Sequence, residues 1–407
     1  MCDVMARQTK YHPAGPAVDM EYTCVSTLEE AGCGPDDSPA DNLQRPLFTT
    51  AAWFDLIART ALRDKTQPVF LAVGDAGDAR ACVPLQVGWD GGTRTLEALA
   101  NFYSPVFEPV SNNPANLEAA ADALARFAAA SSPSVDVVNL RPLDCASDFY
   151  LAAQDRLRAA GFWVDTYFCF GNWVHEVGDR DFEDYFKGRP SRLRNTSRRA
   201  RRRLETLGLG IAVMKSESPA LDTAIVAFED IYARSWRHRS EPHPRFIREL
   251  CLLGARRGWL RLGLLRVGER AVAAQIWFVK DGIASIFKLA HLEDHARLSV
   301  GTVLTTEMMR HVIDVDKVHL VDYLSGDDEY KKEWMSVRLE RRGIVAFNRR
   351  SPRGLMKAAR HFASAGLKRL MTPPGRPEFQ PLSEVGRPHS PAENALPLPD
   401  RAPYPSN

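Results

Sequence analysis

Residues 322–334, DYLSGDDEYKKEW, crowd carboxylates, tyrosines, lysines, a glycine and a tryptophan into thirteen positions. An apolar, strand-like segment, 317–321, leads into them. Polar side chains at the end of a strand are a site mounted on a rigid support. This set could hold a cationic amine, move a proton and steady a developing oxyanion.

Each residue has a functional and a structural reading. Asp322, at the strand end, orients an amine or takes its proton; otherwise it forms the turn with Ser325 and Gly326. Asp327 and Asp328 recognise a cationic group, or cap a helix starting near Glu329. Tyr330 donates a proton, or packs with its hydroxyl at the rim. Lys331 meets a phosphate or carboxylate, or makes a surface ion pair of little worth. Trp334 lines a substrate or packs. Upstream, Trp236 and His238 lie in a polar stretch after a helical one and could border an acceptor pocket.

A second cluster precedes this run. Gln275 sits in a strand-like segment, 271–279, and Ser299, Val300, Gly301 and Thr302 open a helical pattern. Strand, glycine turn and helix start can hold a pyrophosphate on backbone N–H groups. Gln275 equally suits a buried backbone partner. His291 and His295 are four apart in a stretch read as loop, with no evident third ligand, so no metal is assigned.

The elements that position these residues fall in two halves. Apolar spacing predicts a helix over 50–65, strands over 69–73 and 80–87, a helix over 116–130, a strand over 135–140 and a helix over 148–160. The second half reads as a helix over 220–237, strands over 260–267, 270–279 and 284–290, a helix over 301–315 and a strand over 318–322. RACVPLQ (80–86) and RAVAAQ (270–275) each follow a glycine-acid turn, which hints at a diverged repeat.

Between the halves, 187–203 carries nine Lys or Arg and no acid. From Ser191, as N-cap, it reads as a helix. Arg192, Arg194, Arg198, Arg199 and Arg202 either cover core with their stems or bind an anion such as tRNA, a nucleotide-linked precursor or an anionic membrane surface. A second basic stretch, 351–371, could extend that surface. Aromatics are not interleaved with the basic run, which argues against base stacking.

Composition narrows the class. The chain has 407 residues, enough for two or three domains, and a net charge of only +2, which selects no partner. Seven cysteines with no C-x-x-C motif argue for reduced thiols and a cytoplasmic location. No apolar run is long enough for a membrane span. Residues 1–43 read as a disordered leader. Residues 372–407 hold ten of the 27 prolines and read as a disordered tail.

The order of parts resembles the GNAT acyltransferase superfamily, in the branch of CelD-like and FemAB-like proteins. Ala273-Ala274-Gln275, Ser299-x-Gly301 and the spaced set Asp322, Gly326, Asp327, Tyr330, Lys331, Trp334 carry the resemblance. It implies an α/β fold of two tandem GNAT-like modules, each a mixed, mainly antiparallel sheet flanked by helices, over 44–170 and 171–350. It further implies acyl transfer, with acetyl-CoA as co-substrate and an amine of a cell-envelope or exopolysaccharide precursor as acceptor. Tyr330 would then protonate a leaving thiolate. The segment 297–302 has one glycine and shifted spacing against the usual pyrophosphate loop. That departure leaves room for an aminoacyl-tRNA donor, as FemAB-like proteins use, or for a non-catalytic binding protein with a basic face.

Overall fold

The computed structural model describes residues 21–34, 45–75, 78–111, 113–235 and 243–371. Residues 1–359 form one compact unit and 360–407 another. Both expected modules belong to the first unit. Of the second, the described part is the last stretch of a helix, Pro352–Met371.

The first half runs β1 (Tyr22–Val25), α1 (Ala51–Thr60), β2 (Thr66–Asp75), β3 (Asp78–Asp90), β4 (Thr93–Ala98), β5 (Val110–Ser111), α2 (Asn116–Ala130), β6 (Val137–Asp144), α3 (Asp148–Ala159) and β7 (Phe162–Glu176). The second runs α4 (Phe182–Lys187), α5 (Ser191–Glu205), β8 (Leu209–Met214), α6 (Pro219–Ala233), α7 (Pro244–Arg256), β9 (Leu260–Val267), β10 (Arg270–Lys280), β11 (Ile283–His291), α8 (Val300–Arg310), β12 (Leu320–Ser325), α9 (Glu329–Trp334) and β13 (Val337–Asn348), with α10 (Pro352–Met371) following.

Local chemistry sets many of these bounds. Thr50 and Ser147 accept the amides of Trp53 and Tyr150 at the starts of α1 and α3. Ser218 caps α6 on Leu221, ahead of Pro219 in its first turn. Gly161, at φ +94°, turns the chain from α3 into β7. Pro190, not Ser191, is the residue before α5.

One sheet runs through both halves in the order β1-β2-β3-β4-β6-β13-β7-β12-β11-β10-β9-β8, with β5 beside β3. The succession β2-β3-β4-α2-β6-α3-β7 recurs as β9-β10-β11-α8-β12-α9-β13. The segments 80–86 and 270–275 therefore occupy matching strands, β3 and β10. The last strand of each half is exchanged: β13 pairs with β6, β7 pairs with β12, and the two lie antiparallel from Val337↔Val174 to Asn348↔Phe162. These are two modules of one plan joined by traded strands.

Several expectations change. Tyr22–Val25, which falls in the expected disordered leader, pairs with Phe70–Val73 of β2. The long strands β7 and β13, the short β4 and the helix α7 are absent from the sequence reading. The helix expected to reach 315 is α8 to Arg310, then a wider π turn, His311–Val315. Residues 372–407 lie outside the described residues.

An aromatic cluster ties the modules together. Trp53 of α1 meets Phe246 of α7 edge-on at 5.5 Å. Tyr103 stacks on Phe246 at 4.8 Å, and Phe48 lies 6.3 Å from Phe287 of β11. Each such pair adds about 0.5–1.5 kcal/mol beyond area burial.

A polar chain crosses the exchanged strands. Arg341 of β13 donates to Asp144 of β6 at 2.7 Å and to Asn172 of β7 at 2.9 Å. Asn172 donates to Asp322 of β12 at 2.6 Å. Further along β7, the buried His175 shares a hydrogen bond with Ser336 at 2.7 Å and packs on the Tyr185 ring. Burial, with Arg189 and Arg180 nearby, pushes His175 down to about 4.

That shift sets a pH response. The folded state holds His175 neutral while the unfolded chain protonates it below its ordinary value of 6.5. Stability is therefore complete above that value and declines as pH falls toward 4. Urea denaturation at pH 7 and pH 5 should differ by about 2 kcal/mol from this group. His175→Gln should flatten that difference; an unchanged slope would assign it to other groups.

Candidate active site

A cleft of about 860 Å³ opens where the paired strands of each module part. β11 and β12 run parallel through Ile283↔Leu320, Ala284↔Val321 and Ser285↔Asp322, then diverge. Past that point Ile286–Leu289 and Tyr323–Ser325 wall the cleft. β4 and β6 repeat the pattern, parallel from Thr95↔Val137 to Glu97↔Asn139. Ala98 and Arg141 lie beyond their fork and line the same space. Tyr167–Phe170 of the exchanged strand β7 contribute between the two forks. Ligands of α/β sheets commonly bind beyond the carboxyl ends of parallel strands.

The lining is aromatic and cationic. The buried Lys288 holds its ammonium 4.9 Å from the Tyr103 ring centre and 4.7 Å from that of Tyr232. It donates to the Tyr232 hydroxyl at 3.3 Å. Tyr167 donates to Asn139 at 2.6 Å, and burial pushes its phenol up to about 12, so it stays protonated. Its ring covers Gly343, where a Cβ would lie 2.3 Å from Cζ. Arg63 pairs with Glu97 at 2.6 Å. Arg141 is exposed, and its side chain makes no hydrogen bond or ion pair among the described residues.

The run 322–334 is divided by its fold. Asp328, Tyr330 and Lys331 line the cleft, Tyr330 half in solvent with its ring 5.6 Å from Tyr323. The Lys331 ammonium is buried and donates to the carbonyls of Tyr323 (3.2 Å), Ser325 (2.6 Å) and Gly326 (3.3 Å). These bonds fold a turn in which Leu324 has φ +56° and Gly326 φ +110°. The left-handed Leu324 is costly for a branched residue and is held by its neighbours.

Asp322, Asp327 and Trp334 are not among the lining residues. Asp322 accepts the Leu324 amide at 2.7 Å and Asn172 at 2.6 Å, which is its turn-forming role. Burial raises its pKa, and Arg341 opposes the rise. Asp327 is clamped by Arg338 at 2.7 Å and Trp173 at 2.8 Å, and the Arg338 bonds lower its pKa. A substrate cation would have to displace Arg338. Trp334 is buried, and its carbonyl accepts Tyr185 and Arg189.

Gln275 is buried. It donates to Thr305 at 2.8 Å and Gly301 at 3.3 Å and accepts from Trp277, so its amide braces β10 against α8. Ser299, left-handed at φ +52°, leads into α8 with no side-chain cap. The first amides of α8, at Val300, Gly301 and Thr302, thus head the helix with no hydrogen bond from the Ser299 side chain. Trp236 and His238 lie outside the described residues. Among the described residues no group of three or more His, Cys, Asp or Glu could hold a metal.

The basic run packs Leu193, Ala200 and Leu204 inward, as the structural reading has it. Arg194 bonds the Arg189 carbonyl, and Arg201 pairs with Glu205 and Glu307. Arg192, Arg198, Arg199, Arg202 and Arg203 are exposed and make no ion pair among the described residues.

Sequence reasoning missed Lys288, Arg141, Tyr103 and Tyr167. A signal existed for two. Lys288 is a lone cation within the apolar run 284–290, and Arg141 is the first cation past the apolar run 135–140.

The family described as "Acetyltransferase (GNAT) domain" matches residues 191–332, from the basic helix to the end of the turn built by Lys331. No curated protein matches the chain. Among solved structures, FemX superposes with a TM-score of 0.54 at 10% identity, over 80% of this chain and 97% of its own. A tandem GNAT protein from the clavulanic acid biosynthesis pathway gives 0.43 at 14% identity, over 80% and 98%. L-PGS from Bacillus licheniformis gives 0.46 at 11%, over 75% and 89%. Residues 191–332 thus match a GNAT domain, and the fold of the chain resembles that of FemX.

Lys331→Met leaves three carbonyls without their donor and should cost about 2–4 kcal/mol of stability. Urea denaturation reads this directly. An undiminished midpoint would show that the ammonium does not hold the turn.

Proposed function

We propose that the protein transfers an acetyl group from acetyl-CoA to an amine of an anionic acceptor lying in the cleft. The observation that carries this reading is the cleft past the fork of β11 and β12, lined by Lys288 and Arg141. The uncapped α8 amides would take the pyrophosphate, and the fork the acyl arm. Arg141, without a carboxylate partner, would hold an acidic group of the acceptor. Asp328 would receive the ammonium, which loses one proton to solvent before the free amine attacks the thioester carbonyl; Tyr330 would protonate the departing thiolate and regain the proton that the acylated nitrogen sheds. Lys331 would act by shaping the turn that presents both. A cytoplasmic cell-envelope or exopolysaccharide precursor has the required amine and negative charge.

Acetyl-CoA should raise the melting temperature of the purified protein saturably. Thiol release on adding amine acceptors should fall about 10²-fold in Tyr330→Phe with stability unchanged. Neither a shift nor turnover would sink the acetyl-CoA reading.

One observation favours a second donor, aminoacyl-tRNA: the five exposed arginines of α5 without ion pairs. On that reading tRNA affinity declines steeply with salt, and Arg198→Glu with Arg202→Glu lowers the slope by about 1 for each phosphate no longer neutralised. Salt-independent binding would exclude it.

A further inference from the structure

We propose that the outer face of α10 docks on the surface of an anionic lipid bilayer. The orientation of its first two turns, which belong to the first unit, is set by small residues. A Cβ on Gly354 would lie 2.4 Å from the Asn348 carbonyl oxygen, and Ala358 is fully buried in a cluster with Val137 and Phe347. With those positions turned inward, helical spacing turns Leu355, Met356 and Ala359 outward. Leu355 is 40% exposed and Met356 63%. Lys357 pairs with Asp90 at 3.6 Å, so the β3–β4 turn lies alongside, and Trp89, 53% exposed, immediately precedes it.

Cations flank this apolar strip. Arg349, Arg350 and Arg353 are exposed, Lys357 is partly so, and the helix holds no acid from 352 to 371. Exposed aliphatic side chains flanked by bases describe a helix lying in a membrane interface. A polyanion such as RNA would use the cations and leave Leu355 and Met356 in water. A second copy of the chain would set these cations against themselves across a twofold axis, with Asp90 the carboxylate seen to pair with them. A bilayer satisfies both halves of the surface: each Lys or Arg near an anionic leaflet contributes about 1 kcal/mol, and the apolar strip enters the acyl boundary. Among the described residues no helix is long and apolar enough to cross the membrane, so the contact is peripheral.

The test is co-sedimentation of the full chain with vesicles of phosphatidylcholine alone or mixed with phosphatidylglycerol. The wild type should bind the mixed vesicles and leave the neutral ones. Leu355→Glu with Met356→Glu, and separately Arg350→Glu with Arg353→Glu, should each weaken binding at least about tenfold. All four side chains are exposed, so melting temperatures should not move. Arg198→Glu with Arg202→Glu, on α5, should bind like wild type. Indifference of the wild type to phosphatidylglycerol would overturn the proposal. So would full binding by the Leu355/Met356 variant, or loss confined to the α5 variant. A doubled mass in solution, halved by the Leu355/Met356 variant, would give this face to a second copy instead.

Discussion

The pairing of β7 with β13 is the constraint on which the rest depends. A module that stopped at β6 or β12 would present that strand as an open edge beside its fork, with unpaired amides and carbonyls. Exchange of the final strands covers both edges and fuses two sheets into one. The polar chain Asp144–Arg341–Asn172–Asp322 spans the four strands of the junction. A buried guanidinium demands partners, and Arg341 of the second half finds them on two strands of the first, which pins the register between modules.

The forks follow from that junction. Parallel pairing of β11 with β12, and of β4 with β6, lasts three residues on each side before the strands part. Because β7 and β13 hold the inner strand of each pair, both forks open onto one cleft. The aromatic cluster of Trp53, Phe246, Tyr103 and Phe287 closes the modules on the other side of the fork and supports the two rings around Lys288. Cleft shape and cation placement are therefore outcomes of one packing arrangement.

The turn after β12 illustrates how fold and chemistry share residues. Lys331 and Asp322 both serve the backbone, one through three carbonyls and one through the Leu324 amide. Their work holds Leu324 in a left-handed conformation and sets Asp328 and Tyr330 at the cleft wall. A motif that reads as a reactive set is thus partly scaffold.

Residue order alone determined what depends on near neighbours. Helical spacing made α1, α2, α3 and α6 legible, and apolar runs marked β9, β10 and β11. The turn glycines and the six spaced positions from Asp322 to Trp334 were enough to reach the GNAT resemblance. β13 was not legible, because Arg338, Glu340, Arg341 and Arg342 look solvated until Asp327, Asn172 and Asp144 arrive from elsewhere in the chain. β7 was hidden because its partner strands, 320–325 and 337–348, come far later in the chain. Which carboxylates face the cleft, and that Lys288 and Arg141 share it, only the tertiary structure decided. Those positions depend on strands exchanged between distant parts of the chain, 162–176 and 337–348, and no local periodicity records such an exchange.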